Sequence, residues 1–346
     1  MSNAKATGRI LEIDLLRFTA AAAVVVYHYS GVGNGQLLQL GFLGVPLFFM
    51  ISGFVILWTA STKSGLEFVA SRLCRLYPSF WICVLITALV WHAAGGPVTV
   101  KSLLANLTME PTLFRQTLLD PVYWTLFLEI EFYALVFILV VSNQLTRMRW
   151  WLAIWLMLSI AAAALPKAAW LQRISLQQYS TYFIAGCYLY LIRTQGRSAA
   201  LMIPLCASVF LGVHNAVVVQ FGFTHDATQR MQWLVGATIL VECLVFLLVA
   251  LRRWTLPNWP LWGWLGAMTY PLYLIHDRAA ISVATWLPAG TGIRIIGMTV
   301  FSVAIAWLLA ATIERRGCHL LTKWLLRRVR RSHGNSPEVL RLSSTD

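Results

Sequence analysis

IDLLRFTAAAAVVVYH (Ile13–His28) is an apolar run broken by one arginine and closed by a histidine. At about 100° per residue, the eleven steps from Arg17 to His28 bring both side chains to within about 20° of each other around a helix. Along the axis they stand about 16 Å apart, at about 1.5 Å per residue. Ionisable groups are costly inside a bilayer, so a guanidinium low on one helix face and an imidazole high on the same face mark a functional path.

The rest of the chain supports a bilayer as its solvent. Of 346 residues, 59% are hydrophobic and only 12% charged, with 16 tryptophans, and a soluble core of that size would lack a polar surface. Apolar runs long enough for a hydrocarbon core of about 30 Å recur at 13–31, 42–60, 78–95, 121–141, 150–166, 176–193, 199–220, 231–251, 260–279 and 293–313. The predicted fold is therefore all-α: a polytopic membrane protein of about ten transmembrane helices. The net charge of +14 does not point to nucleic acid, because the basic residues sit in short connections between apolar runs. With the N-terminus cytoplasmic, nineteen Lys and Arg fall on the inner side and seven on the outer, which puts both termini inside. The organisation that follows is a cytoplasmic segment 1–12, a transmembrane domain 13–313 and a basic cytoplasmic tail 314–346. Within the tail, HLLTKWLLRRVRR (319–331) reads as an amphipathic helix on anionic lipid.

The first run carries Arg17 and His28 and has no small-residue cleavage site, so it reads as a retained helix. Residues 61–77 read as a second inner-face piece and 96–120 as the longest outer loop. Asn106-Leu107-Thr108 in that loop is a formal glycosylation triplet, too short a pattern to weigh alone. Six scattered cysteines lack metal-ligand spacing, and neither a disulfide framework nor a metal site is expected. No internal repeat of the transporter type is visible.

Depth along each helix orders the buried polar groups. Arg17 falls about 6 Å above the inner boundary and His28 about 22 Å above it. Glu129 falls about 12 Å below the outer boundary, with Glu131 and Tyr133 deeper. His276 lands about 24 Å up its helix, above Tyr270 and Tyr273 and beside Asp277 and Arg278. His28, Glu129 and His276 are thus expected in one outer-half layer, with Arg17, Arg72 and Arg75 near the inner face. Arginine forks suit phosphates, and an imidazole can take a proton from a hydroxyl and return it. A buried carboxylate nearby would orient that imidazole. Acyl transfer from a phosphate-bearing carrier to an alcohol needs this set of parts. Each part also has a plain alternative: a packed histidine, positive-inside arginines, or Trp and Tyr as interfacial anchors and core. Two acids in one apolar run, Glu129 and Glu131, are harder to explain away, and at least one must face the protein interior.

Five stretches resemble acyltransferase family 3, the integral-membrane O-acyltransferases of bacteria. IDLLRFTAAAAVVVYH (13–28) resembles the family's opening helix, with Asp14 also in place, and GFLGVPLFFMISGFVI (41–56) is similar to its second helix, including Ser52. RLCRLYP (72–78), WTLFLEIEFY (124–133) and TYPLYLIH (269–276) resemble its later elements, so the likeness runs from about residue 10 to 315. It implies transfer of an acyl group, acetyl by default, from cytoplasmic acyl-CoA to a hydroxyl of an extracytoplasmic glycan or similar acceptor. The setting implied is the bacterial cytoplasmic (inner) membrane, with acyl-CoA as donor substrate and no tightly bound cofactor. Carried over by position, Arg17 and His28 are the family's essential pair. Arg72, Arg75, Glu129 and Tyr133 are further functional positions.

The assignment expected from these readings has His28 as general base, with Glu129 and Arg17 as its catalytic companions. Arg17, Arg72 and Arg75 would bind acyl-CoA. Ser52, Trp124, Tyr133, Tyr270, Tyr273 and His276 would line the pore or position the acceptor, which is a glycan or lipid-linked saccharide. Two departures stand out: Pro46 occupies a position where an acid is common and could kink the second helix, and Ile130-Glu131 replaces the usual Glu-Gln pair. No hydrolase-like extracytoplasmic domain is attached, which implies the stand-alone type. A proton-coupled transporter or flippase, with the His/Glu layer as relay, remains the alternative, and a non-catalytic scaffold a third.

Overall fold

The computed structural model describes residues 9–30, 36–224, 228–288, 290–317 and 322. Among them no strand occurs, and ten helices have sixteen residues or more. These are α1 (Leu11–Tyr29), α2 (Gly44–Thr62), α3 (Gly65–Ala93), α4 (Trp124–Val141) and α5 (Met148–Ala164), then α6 (Ser180–Gln195), α7 (Ala199–Thr224), α8 (Gln229–Ala250), α9 (Pro260–Ile275) and α10 (Thr291–Leu309). Each overlaps one of the ten apolar runs. Six spans among the described residues are long and apolar enough to cross a membrane, built on α2, α3, α4, α7, α8 and α10. The other four fall short of that test because α5, α6 and α9 have 17, 16 and 16 residues, and α1 carries Glu12, Asp14 and Arg17. Large apolar side chains such as Leu89, Ile154, Phe210, Leu240 and Val300 are exposed around the bundle, as a lipid-facing surface requires. The chain is a multi-pass membrane protein.

The centre of the bundle is the crossing of α2 on α6. A Cβ on Gly53 would lie 2.2 Å from the Phe183 carbonyl oxygen, and one on Gly186 would lie 1.9 Å from that of Met50. Each glycine thus admits the other helix's backbone, the small-residue contact that membrane helices use for close approach. Phe132, Phe183 and Phe49 stack beside the crossing, with centroids 4.5 and 4.7 Å apart. We expect Gly186→Val to separate the two backbones and cost about 1–3 kcal/mol or more. A thermal melt of the detergent-solubilised protein reads this as a lower Tm, and an unchanged Tm would show the crossing to be pliable.

Four expectations about segments change. The helix expected to start at 78 starts earlier, within 61–77: a capping box between Ser64 and Glu67 begins α3, which runs 29 residues through Pro78. At about 1.5 Å per residue that is about 43 Å, longer than the hydrocarbon core, so the turns bearing Arg72 and Arg75 extend toward the bundle's end. Pro46 does not kink α2, because it sits in the first turn, where α2 takes over from the 3-10 turn Leu40–Leu43. The span expected at 260–279 stops at Ile275, and a short helix, Arg278–Ala284, follows the break. After α10 the ladder widens into a π-helix, Ala310–Gly317. Glu314, the first residue of the expected tail, is thereby turned inward, where its carboxylate receives Arg75 and the Ser79 hydroxyl. The amphipathic helix expected at 319–331 lies outside the described residues, apart from Thr322.

The loop 96–120 is ordered from within. Asn106 of the glycosylation triplet is buried; its Nδ2 donates to the carbonyls of Ser102 and Thr117, and its Oδ1 accepts from the Leu119 N–H. That side chain pins the loop and has no free amide to offer.

Candidate active site

Two chambers meet inside the bundle. One, nearer the N-terminal end of α1 and called the inner chamber, is about 170 Å³ and is lined by Arg17, Ser52, Arg72, Arg75, Glu129 and Tyr133, with Thr125, Tyr270 and Tyr273 among its other walls. The other, nearer the C-terminal end of α1 and called the outer chamber, is about 150 Å³ and is lined by Val24, Tyr27, His28, Pro46, Trp124 and Tyr179, with Gln178, Tyr182 and Asn215 completing its polar edge. Val45 and Tyr273 belong to both linings and so form the partition. Tyr273 is held there: its hydroxyl shares a hydrogen bond of 2.9 Å with Thr125 and donates to the Val122 carbonyl, while its ring packs on Phe48 at 5.5 Å.

Helical period explains the partition of residues. On α1, Arg17, Val24 and His28 are spaced seven and four apart and share one face; the first lines the inner chamber and the other two the outer. On α2, Val45, Phe48, Phe49, Ser52 and Val55 form the inner-chamber face. On α4, Thr125, Glu129 and Tyr133 step by four down the inner chamber, whereas Trp124 faces the outer one.

This corrects the expected outer layer. His28 and His276 are together, ring centroids 5.0 Å apart and edge to face. Glu129 is not with them. It accepts hydrogen bonds from Ser52 (2.8 Å) and from the Tyr133 hydroxyl, in the chamber that holds the arginines. Depth along straight helices put the histidines and Glu129 within a few ångströms of one level, but azimuth decides which cavity a side chain enters. Glu131, on the opposite side of α4, pairs with Arg173, whose guanidinium also covers Phe127.

The inner chamber is a cluster of cations. Among the described residues Arg17 and Arg72 have no carboxylate within ion-pair distance, while Arg75 is paired with Glu314. The Arg72 guanidinium lies 6.0 Å from the Tyr133 ring centre and that of Arg75 5.9 Å from the Tyr270 ring centre. With Arg75 taken by Glu314, the lining carboxylate Glu129 faces the guanidiniums of Arg17 and Arg72, and that remaining excess of positive charge makes the site suited to an anion. Of the other expected residues, Tyr270 anchors by donating to the Leu76 carbonyl (3.1 Å), and Trp124 packs on Tyr179 at 4.9 Å. His276 reaches neither lining; it is fully buried, its Nδ1 lies 2.7 Å from the Tyr273 carbonyl, and its Nε2 has no hydrogen-bond partner among the described residues.

The acyltransferase-domain family model matches residues 10–311, nearly the whole described bundle. The chain belongs to acyltransferase family 3. The exopolysaccharide production protein ExoZ of Rhizobium meliloti (strain 1021) is 26% identical over 310 residues, covering 82% of this chain and 93% of that protein. The O-acetyltransferase OatA of Staphylococcus aureus (strain NCTC 8325) is 31% identical over 158 residues, 40% of this chain. The match spans 25% of the OatA relative's length. No solved structure matches the chain.

Sequence reasoning missed Asp277, Glu314, Tyr179 and Asn215 as members of the site. Asp277 lies 3.4 Å from the His28 imidazole, and its position next to His276 was the available signal. Glu314, Tyr179 and Asn215 come from elements distant in sequence, and nothing in their local pattern marks them.

Proposed function

We propose that this member of acyltransferase family 3 is a membrane O-acyltransferase that moves an acyl group, acetyl by default, from cytoplasmic acyl-CoA to a hydroxyl of an extracytoplasmic glycan or similar acceptor. The observation that carries the reading is the pair of chambers meeting at Val45 and Tyr273, one lined with guanidiniums and one with an imidazole. The printed names of the relatives, an O-acetyltransferase and an exopolysaccharide production protein, agree with the reaction class and with a glycan acceptor. In this reading the chain crosses the bacterial cytoplasmic membrane ten times, with both termini on the cytoplasmic side.

The inner chamber, at about 170 Å³, is below the several hundred Å³ of a cavity that encloses a drug-sized ligand. It suits the slim pantetheine end of the donor, with phosphates gripped by Arg17, Arg72 and Arg75 and the nucleotide outside. Glu129, bound by Ser52 and Tyr133, then offsets part of the arginine charge when no donor is present and leaves acid–base work to the outer chamber. At the partition the thioester carbonyl meets the acceptor hydroxyl. His28 takes the hydroxyl proton, the oxygen bonds to the carbonyl carbon, the C–S bond breaks, and the imidazolium returns the proton to the CoA thiolate. Trp124 and Tyr179 give the acceptor a flat apolar wall, and Gln178 and Asn215 give it amide partners. The relay alternative needs Glu129 beside His28, and those two line different chambers.

The test is transfer of labelled acetyl from acetyl-CoA, offered to one face of reconstituted vesicles, to a glycan on the other. Val45→Trp fills the partition and is expected to abolish transfer while leaving the melting temperature within a few degrees of wild type. Transfer at the wild-type rate in that variant would rule out passage between the chambers.

A further inference from the structure

We infer that Asp277 is the positioning residue for His28, and that Asp120 fixes the chain break that delivers it. The inference rests on the acyl-transfer reading and deepens it. Among the described residues Asp277 is the only carboxylate within ion-pair distance of an imidazole: its Oδ1 lies 3.4 Å from His28 Nδ1. That separation is long for a hydrogen bond and lies in the range that tightens when a site is loaded.

The placement of Asp277 is built rather than incidental. It occupies the break between α9 and the helix Arg278–Ala284, with its residue 6% exposed. The wholly buried Asp120 grips both sides of the site: one oxygen accepts the Arg278 N–H at 2.9 Å and the other the Val122 N–H at 3.2 Å. Val122 lines the outer chamber, so a single carboxylate ties the break carrying Asp277 to the chamber wall. The His28 ring is confined as well, by Tyr27 at 5.1 Å and His276 at 5.0 Å, both edge to face. The other ionisable groups around the pair are Tyr29, which bonds Ser302, Tyr273 at the partition, and Arg278, whose guanidinium is drawn over Trp91 at 4.2 Å.

The chemistry follows from which nitrogen is engaged. A carboxylate at Nδ1 holds the proton there and leaves Nε2 bare, which is the form of imidazole that accepts a hydroxyl proton. When Nε2 takes that proton, the new positive charge faces a fixed anion in a partly buried site, which stabilises the charged intermediate. Glu129 cannot supply this from the other chamber.

The experiment is a double-mutant cycle on acetyl transfer with His28→Ala, Asp277→Asn and the double variant, with acceptor and donor kinetics measured separately. We expect Asp277→Asn to lower kcat by at least roughly ten-fold with the donor KM unchanged, and to cost nothing further in the His28→Ala background, because residues acting as one unit are non-additive. Asp277→Glu, which keeps the anion but displaces it by one methylene, should recover part of kcat; it also decides the matter if the asparagine variant folds poorly or His28→Ala falls below detection. Wild-type kcat in Asp277→Asn, equal fractional losses in both backgrounds, or a glutamate variant no better than asparagine would overturn the inference. A fully active His28→Ala would instead remove His28 as base, which is a failure of the proposed function and is read from that variant alone.

Discussion

Replacing His28 with alanine is expected to slow acetyl transfer by about 10²–10⁴-fold, the usual cost of losing a general base. The protein should still fold. His28 lines a chamber, its side chain is about a quarter exposed, and it is fixed by ring contacts with Tyr27 and His276 rather than by close packing on all sides. The loss should therefore fall on kcat, with donor KM near the wild-type value, because the proposed reading places donor and base in different chambers. His28→Gln is the sharper control: it keeps hydrogen-bonding capacity at similar size but cannot accept and return a proton. Glycan O-acetylation measured by mass spectrometry in cells, alongside initial rates in vesicles, reads both variants. Full activity in either one removes His28 from the reaction.

The second large effect is expected at Arg17, and it falls on the donor. Arg17 enters the inner chamber from α1 with no carboxylate in ion-pair distance among the described residues, and charge-assisted hydrogen bonds contribute about 1.5–3 kcal/mol each. Arg17→Met should thus raise the donor KM by roughly 10- to 100-fold. Arg17→Lys should recover little of this, since a point charge replaces a planar fork. A confounding effect can be separated. Removing Arg17 also takes a cation from the chamber that holds Glu129, and a less compensated carboxylate inside a bilayer costs stability. Arg17→Met with Glu129→Gln is therefore expected to regain the melting temperature of wild type without regaining donor affinity. If donor affinity returned with stability, Arg17 would serve only as a charge balance.

The correspondence between sequence and structure is uneven for physical reasons. The all-helical class and the ten long helices follow from run length and hydropathy, which are local. The shared face of Arg17 and His28 follows from the helical period, which every helix obeys. Helix ends were harder: α3 begins thirteen residues before the expected start at 78, because a Ser64–Glu67 capping box outweighs the polarity of 61–77. The break after Ile275 and the π-helix from Ala310 depend on partners, Asp120 for the first and Arg75 with Ser79 for the second.

From the run Ile13–His28 and its nine successors one obtains a membrane bundle and the residue types that the proposed acyl transfer needs. Those are properties of a helix in hydrocarbon, and each can be computed one segment at a time. Which chamber Glu129 enters, that Asp277 rather than Glu129 faces His28, and that Val45 and Tyr273 stand between the two chambers depend on the azimuth at which separate helices meet. That angle is set by close contacts such as Gly53 on Phe183 and Gly186 on Met50, between segments more than a hundred residues apart. No single stretch of the chain encodes it.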